Sequence, residues 1–199
     1  MFIRFGKLRV HYAALLIAGV FLAINMSYYT LIVFASIALH ELGHIAAITL
    51  MGQRVVTVEV LPFGVTIGTG GGMLSYRADV FVYLAGPAAN IAAAFVIYCF
   101  ISAVGYDMTA MFALITNLSY AALNLFPVKT LDGGRALRSL LYAILPERAA
   151  GSVAAVISAA ALVALSGAAM FVLMVTGYNF TLVFMCGYLF YTLHFSTVR

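Results

Sequence analysis

Six stretches of the chain are apolar over lengths that suit a bilayer crossing: 8–24, 31–51, 80–104, 109–126, 152–176 and 180–195. A helix needs about 20 such residues to traverse roughly 30 Å of hydrocarbon, so the first and last sit near the lower limit. Between the second and third stretches the period changes. Val56, Val58 and Val60 alternate with Thr57 and Glu59, which predicts a strand over 55–61 with one covered face. Pro62, Phe63 and Gly64 turn it, residues 65–69 return as its partner, and Gly70-Gly71-Gly72 ends the hairpin. That glycine run lacks the Lys-Ser or Lys-Thr of a phosphate loop and reads as a turn or hinge. After Pro127, residues 128–131 are irregular up to Asp132-Gly133-Gly134. From Arg135 a short amphipathic helix is expected, with Leu137, Leu140, Leu141, Ile144 and Leu145 on its apolar side. The pattern predicts an all-α polytopic membrane protein of about six transmembrane helices with a small membrane-associated β-hairpin, forming one domain over 1–199.

Composition agrees with the pattern. Of 199 residues, 65% are hydrophobic and only 8% are charged, against about 25% charged in a soluble domain. Threading six spans places Arg4, Lys7, Arg9, Arg54, Arg77, Lys129, Arg135, Arg138, Arg148 and Arg199 on one side of the membrane. The positive-inside rule then puts both termini in the cytoplasm and the loops 25–30, 105–108 and 177–179 outside. The net charge of +4 is thus an expression of topology and not a nucleic-acid footprint, and the basic residues are placed to meet anionic lipid heads. Arg4, Lys7 and Arg9 before an apolar run imitate a signal peptide, but no small-x-small cleavage site follows at 25–29, so the first span reads as a retained anchor. Cys99 and Cys186 lie in apolar spans without metal-type spacing and are expected to pack. Ala155, Ser158, Ala159, Ser166 and Gly167 make the fifth span fit for close helix contact, so residues 152–195 are expected to pack or gate.

The chemistry lies inside the second span, at His40-Glu41-Leu42-Gly43-His44. Residues four apart stack on one helix face, so both imidazoles reach one metal ion, and Glu41 stands close enough to take a proton from a water beside it. A carboxylate deep in a membrane helix costs roughly 2.5–3.5 kcal/mol on insertion scales and is normally kept for a reaction. Gly86-Pro87 in the third span predicts a kink, with Asn90 one turn beyond, which either satisfies one amide at a common bend or opens room beside the metal. Asn117, Tyr120 and Asn124 mark one polar face of the fourth span, directed into the bundle or a wet cavity. A catalytic zinc uses three protein ligands, and two histidines leave it one short. The candidates for the third are Glu59, Asp79, Asp107, Asp132, Glu147, His11 and His194; topology removes Asp107. Asp132 ranks first because Pro127 breaks the preceding helix and Gly133 and Gly134 let backbone dip toward the membrane, although an aspartate there also suits capping a helix that starts at Arg135.

Taken in order, His40 to His44, Leu61-Pro62-Phe63-Gly64, Gly86-Pro87-Ala88-Ala89-Asn90, Asn124-Leu125-Phe126-Pro127 and Leu131-Asp132-Gly133-Gly134 resemble the motifs of the site-2 protease family of intramembrane zinc metalloproteases. The Leu-Pro-Phe-Gly element and the small size are most similar to the sporulation factor IVB type. The resemblance spans about 39–135, within a motif-bearing core at 31–135. It implies Zn2+ on His40, His44 and Asp132, Glu41 as general base, Asn124 holding substrate or the oxyanion, and a hairpin over 55–69 at the edge of the cleft. It also implies cleavage of a membrane-associated protein in or near its transmembrane segment, with release of a cytoplasmic fragment, as in processing of a precursor transcription factor during sporulation. The edge of the 55–61 strand is expected to receive the unwound substrate by strand addition. A bacterial cell membrane is the implied location, with regulatory membrane proteins and a homo-oligomer as further partners. Members of this type often carry a soluble nucleotide-sensing domain after the last span; without one, the chain reads as a minimal member or a truncated one. Two other readings compete: a membrane zinc protease acting on prenylated or soluble peptides, and a non-catalytic zinc scaffold, which has no need of Glu41.

Overall fold

The computed structural model describes residues 2–24, 27–61, 64–72, 74–178 and 180–195, in two compact units: Met1–Leu74 with Ala85–Ala122, and Ser75–Leu84 with Leu123–Arg199.

In the first unit, β1 (Phe2–Phe5) and β2 (Leu8–His11) form an antiparallel hairpin through Gly6 and Lys7. Gly6 has φ 61°, the positive value that the first position of a tight two-residue turn demands. The chain continues into α1 (Tyr12–Ile24) and α2 (Tyr28–Leu50), then β3 (Arg54–Leu61) and β4 (Gly64–Gly70). The sheet order is β1-β2-β3-β4, with β2 parallel to β3 and β3 antiparallel to β4. The expected hairpin is therefore present, inside a larger sheet. Pro62 and Phe63 at its turn lie outside the described residues. The second half of α3 (Tyr76–Val104) and most of α4 (Met108–Asn124) complete this unit.

Two expectations change here. Residues 8–11 do not belong to a first span: Arg9 lies opposite Glu59 and pairs with it at 2.8 Å, and the Val58 N–H donates to the Lys7 carbonyl at 2.8 Å. These bonds draw the segment into the sheet and leave a 13-residue α1, about 20 Å long at 1.5 Å per residue. The β3 strand is also no free edge over Val58 to Val60. Val58, Glu59 and Val60 are paired on one side with Leu8, Arg9 and Val10 and on the other with Ile67, Thr66 and Val65. Among the described residues the two edges of the sheet are β1 and β4.

The second unit holds the start of α3, α5 (Asp132–Ile144), α6 (Glu147–Thr176) and α7 (Thr181–Phe195). Its core gathers Val128, Ala161, Leu162 and Leu189, with Phe126, Leu131, Leu165 and Met185 against them. Helix α5 starts three residues earlier than expected, and its apolar side is not the covered one. Asp132, Ala136 and Ser139 form the buried stripe, while Leu140 and Ile144 are 47% and 68% exposed. Apolar side chains facing outward and small or polar ones facing inward suit a lipid surround. Among the described residues three helices, α2, α3 and α6, are long and apolar enough to cross a bilayer, and α7 is a shorter apolar helix. Cys186 is buried and Cys99 exposed, both as free thiols.

Candidate metal centre

Helix α2 presents His40 and His44 on one face, both buried, with their Nε2 atoms 3.1 Å apart. What orients them can be traced atom by atom. The carbonyl oxygen of Ser36 only accepts, so the group facing it at 3.0 Å must be the amide nitrogen of Asn90. The same nitrogen donates to Asn117 Oδ1 at 2.8 Å, and Asn117 Nδ2 donates to the Ala113 carbonyl at 2.9 Å. The amide of Asn90 therefore cannot be flipped, and its Oδ1 lies 2.7 Å from His40 Nδ1. An acceptor at that distance requires Nδ1 to carry the proton, so Nε2, which faces His44 Nε2 at 3.1 Å, is the unprotonated nitrogen, the form in which an imidazole ligates. Tyr120 packs against the His40 ring edge to face, 4.9 Å between centroids. The polar face expected on the fourth span thus turns Asn117 toward Asn90 of α3 and Tyr120 toward His40 of α2.

Two glycines make room for this arrangement. A Cβ on Gly43 would come within 2.6 Å of the Ala85 carbonyl and 2.9 Å of the Ala89 methyl, so α3 passes close to α2 at the glycine of the pentad. A Cβ on Gly86 would strike His44 Nε2 and come within 2.8 Å of His40 Nε2, filling the space beside both nitrogens. Sequence reasoning gave Gly86 a part in a kink and left Asn90 undecided. The available signal was their spacing: Gly86 and Asn90 are four apart and share a helix face.

Asp132 is the first residue of α5, buried, and follows Leu131 at the N-cap, where no side-chain capping bond forms. It stands inside the first helical turn and does not cap a helix starting at Arg135. The loop before it is wired through its backbone: Val128 donates to Phe126, Leu131 to Val128, and the Lys129 N–H to Ser158 Oγ, each at 2.8 Å. Cβ atoms on Gly133 and Gly134 would run into the carbonyls of Leu125 and Val128. Close approach, and not a special φ, is why glycine follows the aspartate.

Among the described residues His40, His44 and Asp132 form a potential metal-binding group: all three are buried and their ligand atoms lie within 4.8 Å of one another. Two imidazoles and one carboxylate, with Gly86 keeping space beside the nitrogens, fit zinc with one position left for water. Glu41, half-buried, follows His40 on α2, and Asn124, also half-buried, ends α4. The other candidates have different tasks. Glu59 pairs with Arg9, His11 Nδ1 accepts the Ala13 N–H at 3.2 Å, and Asp107 accepts the Ala110 N–H at 2.7 Å at the start of α4. Asp79 and Glu147 occupy the first turns of α3 and α6, and the side chain of His194 lies outside the described residues.

Residues 100–167, which include Asn124 and Asp132 but not the pentad, match the family model of Peptidase family M50. Over 143 residues the chain is 32% identical to Stage IV sporulation protein FB of Bacillus subtilis (strain 168), covering 70% of this chain and 49% of that protein. The chain thus spans about half the length of that curated relative. The solved structure of Site-2 Protease from Methanocaldococcus jannaschii aligns with a TM-score of 0.64 over 98% of this chain and 94% of that one, at 21% identity, which shows a common fold. The resemblance to site-2 proteases is met by these matches, and the similarity to the sporulation type by the Bacillus relative.

Proposed function

We propose that this chain is an intramembrane zinc metalloprotease of the site-2 protease family. It cleaves a membrane-associated protein in or near a transmembrane segment. The observation that carries the reading is the grouping of His40, His44 and Asp132, three buried ligands of the types that catalytic zinc takes. His40, His44 and Asp132 would hold the zinc, which would supply Lewis acidity toward a water and a carbonyl oxygen. Glu41, beside His40, is the group to take a proton from the attacking water and return it to the departing amine. Asn90 holds the His40 ring with Nε2 inward, and the Asn124 amide donates to the oxygen on which negative charge develops.

Residues 31–135 supply these groups, while 152–195 pack or gate. Both termini and the basic loops lie in the cytoplasm. This orientation is supported by the sheet, which draws Arg4 and Arg9 into the same layer as Arg54. His44 lies six residues before the end of α2 at Leu50, about 9 Å along the axis. The cut therefore falls in the cytoplasmic third of the substrate's span and frees a fragment on that side. An unwound substrate segment finds backbone partners along the outer edge of β4. The name of the Bacillus relative supports a role in sporulation, and the substrate proposed there is a precursor transcription factor. Regulatory membrane proteins would control it, in a bacterial cell membrane. Mass spectrometry of the product ends tests the reading. A cut in the outer half of the substrate's span, or in a loop well beyond the bilayer, would overturn it.

A further inference from the structure

The second unit contains a cavity of about 210 Å³ that the proposed reaction does not use. At roughly 30 Å³ per water, it has room for about seven. Lys129, Gly134 and Arg138 border it on one side, and Ala154, Ala155 and Ser158 of α6 on another. Its polar groups are donors. Lys129 and Arg138 have no carboxylate within 4.0 Å among the described residues, where the ion pair found is Arg9 with Glu59. The guanidinium of Arg138 is exposed but not loose: it lies 5.3 Å above the Tyr142 ring, which itself stacks on Tyr76 at 5.7 Å. Stacking fixes its plane and leaves the N–H edge for an acceptor.

Ser158 adds a third donor. Three serines on α6 can be compared: Ser152 and Ser166 donate to carbonyls four residues back, at 3.0 and 2.8 Å. Ser158 is 3% exposed and instead accepts the Lys129 N–H at 2.8 Å; its own proton has no acceptor among the described residues. Gly134 brings the first turn of α5 to the cavity wall, at a helix start without a side-chain cap, where the helix dipole favours an anion. No acidic side chain lines the cavity, so the ammonium of a zwitterionic headgroup has no partner there. The remaining walls are alanines and Leu193 of α7, and both helices expose apolar side chains nearby in sequence, Val156 at 69% and Phe190 at 64%.

We propose that this cavity binds the phosphodiester headgroup of an anionic phospholipid, its phosphate held by Lys129, Arg138 and the Ser158 hydroxyl and its chains lying along α6 and α7. The shared chemistry is a phosphate ester; a soluble phosphate is the other source, and the test separates the two. Full-length protein is released from nanodiscs containing equal phosphatidylglycerol and phosphatidylcholine, and native mass spectrometry counts the lipids retained. Wild type should keep one phosphatidylglycerol in preference to phosphatidylcholine. Arg138→Gln should weaken retention about tenfold, the value of one charge-assisted contact. Ala155→Leu fills the cavity without changing charge and should do the same, and it decides the matter if Arg138→Gln does not fold. Equal retention of both lipids, or wild-type retention in Ala155→Leu, would overturn the site. Displacement of the lipid by millimolar glycerol phosphate or inorganic phosphate would overturn the lipid source. Lipid counting needs neither zinc nor cleavage, so it fails or succeeds independently of the protease reading.

Discussion

Around His40 and His44 the groups that fix the geometry are side chains, each committed to a partner: Asn90 to His40, Ser36 and Asn117, and Asn117 to Ala113. The segment that carries Asp132 is held by the opposite means, through backbone hydrogen bonds and through two glycines pressed against carbonyls. The first construction sets the direction of a lone pair, while the second sets the path of a loop. Substitutions should therefore fail differently in the two regions. Near the histidines, metal binding should suffer more than folding; near Asp132, folding should suffer first.

Removing a ligand should have the largest effect. His40→Ala, His44→Ala and Asp132→Ala should each lose most of the zinc, read by elemental analysis of purified protein, and reduce cleavage to background. Full zinc retention in Asp132→Ala would remove the aspartate from the site and return the search to His11 or His194. The glycines come next and test the contrast itself. Gly86→Ala should lower zinc content strongly, because its methyl occupies the space beside both Nε2 atoms. Gly133→Ala forces the Leu125 carbonyl aside and should destabilise the protein by about 1–3 kcal/mol, the usual range for overpacking. A Gly133→Ala protein with a wild-type melting temperature and reduced zinc would erase the distinction.

Asn90 gives a graded case. Asn90→Leu should weaken zinc affinity by about 10–100-fold, the range for groups that orient metal-bound histidines, measured by chelator competition. Asn117→Leu acts one bond further out and should have a smaller effect. Asn90→Asp keeps an acceptor for His40 Nδ1 and should recover part of the affinity, which a purely space-filling role for Asn90 would not produce. The smallest effect belongs to the sheet. Separating Arg9 from Glu59, both about a third exposed, should change stability by about 1 kcal/mol or less and leave zinc untouched.

The same contrast explains what the sequence made legible. The pentad and the polar face at Asn117 and Tyr120 follow helical spacing, so a face can be read without knowing what lies opposite. The strand over 55–61 was legible from its two-residue period. The β1–β2 hairpin carried a similar signal, with Gly6 at the turn and Arg4 and Arg9 between apolar neighbours. The longer apolar run beyond Tyr12 outweighed it, and 8–11 joined the first span. Pairing of β2 with β3 joins residues 50 apart, and no local period encodes that. The tautomer of His40 depends on Asn90, also 50 residues away, and the tasks of Gly43, Gly86 and Gly133 depend on atoms that each meets in another segment. Which side of α5 is covered could not be read for a different reason: in lipid, a leucine stripe does not mark the inside.

The central claim is that a zinc held by this chain works with Glu41 to hydrolyse a peptide bond. The most direct measurement takes wild type and Glu41→Gln through the same purification, counts zinc in each, and follows cleavage of one membrane-embedded substrate. Both proteins should carry about one zinc per chain, and the variant should cleave about 10²–10⁴-fold more slowly, the range for loss of a general acid–base group. Equal cleavage by the two proteins, or active wild type without zinc, would contradict the account.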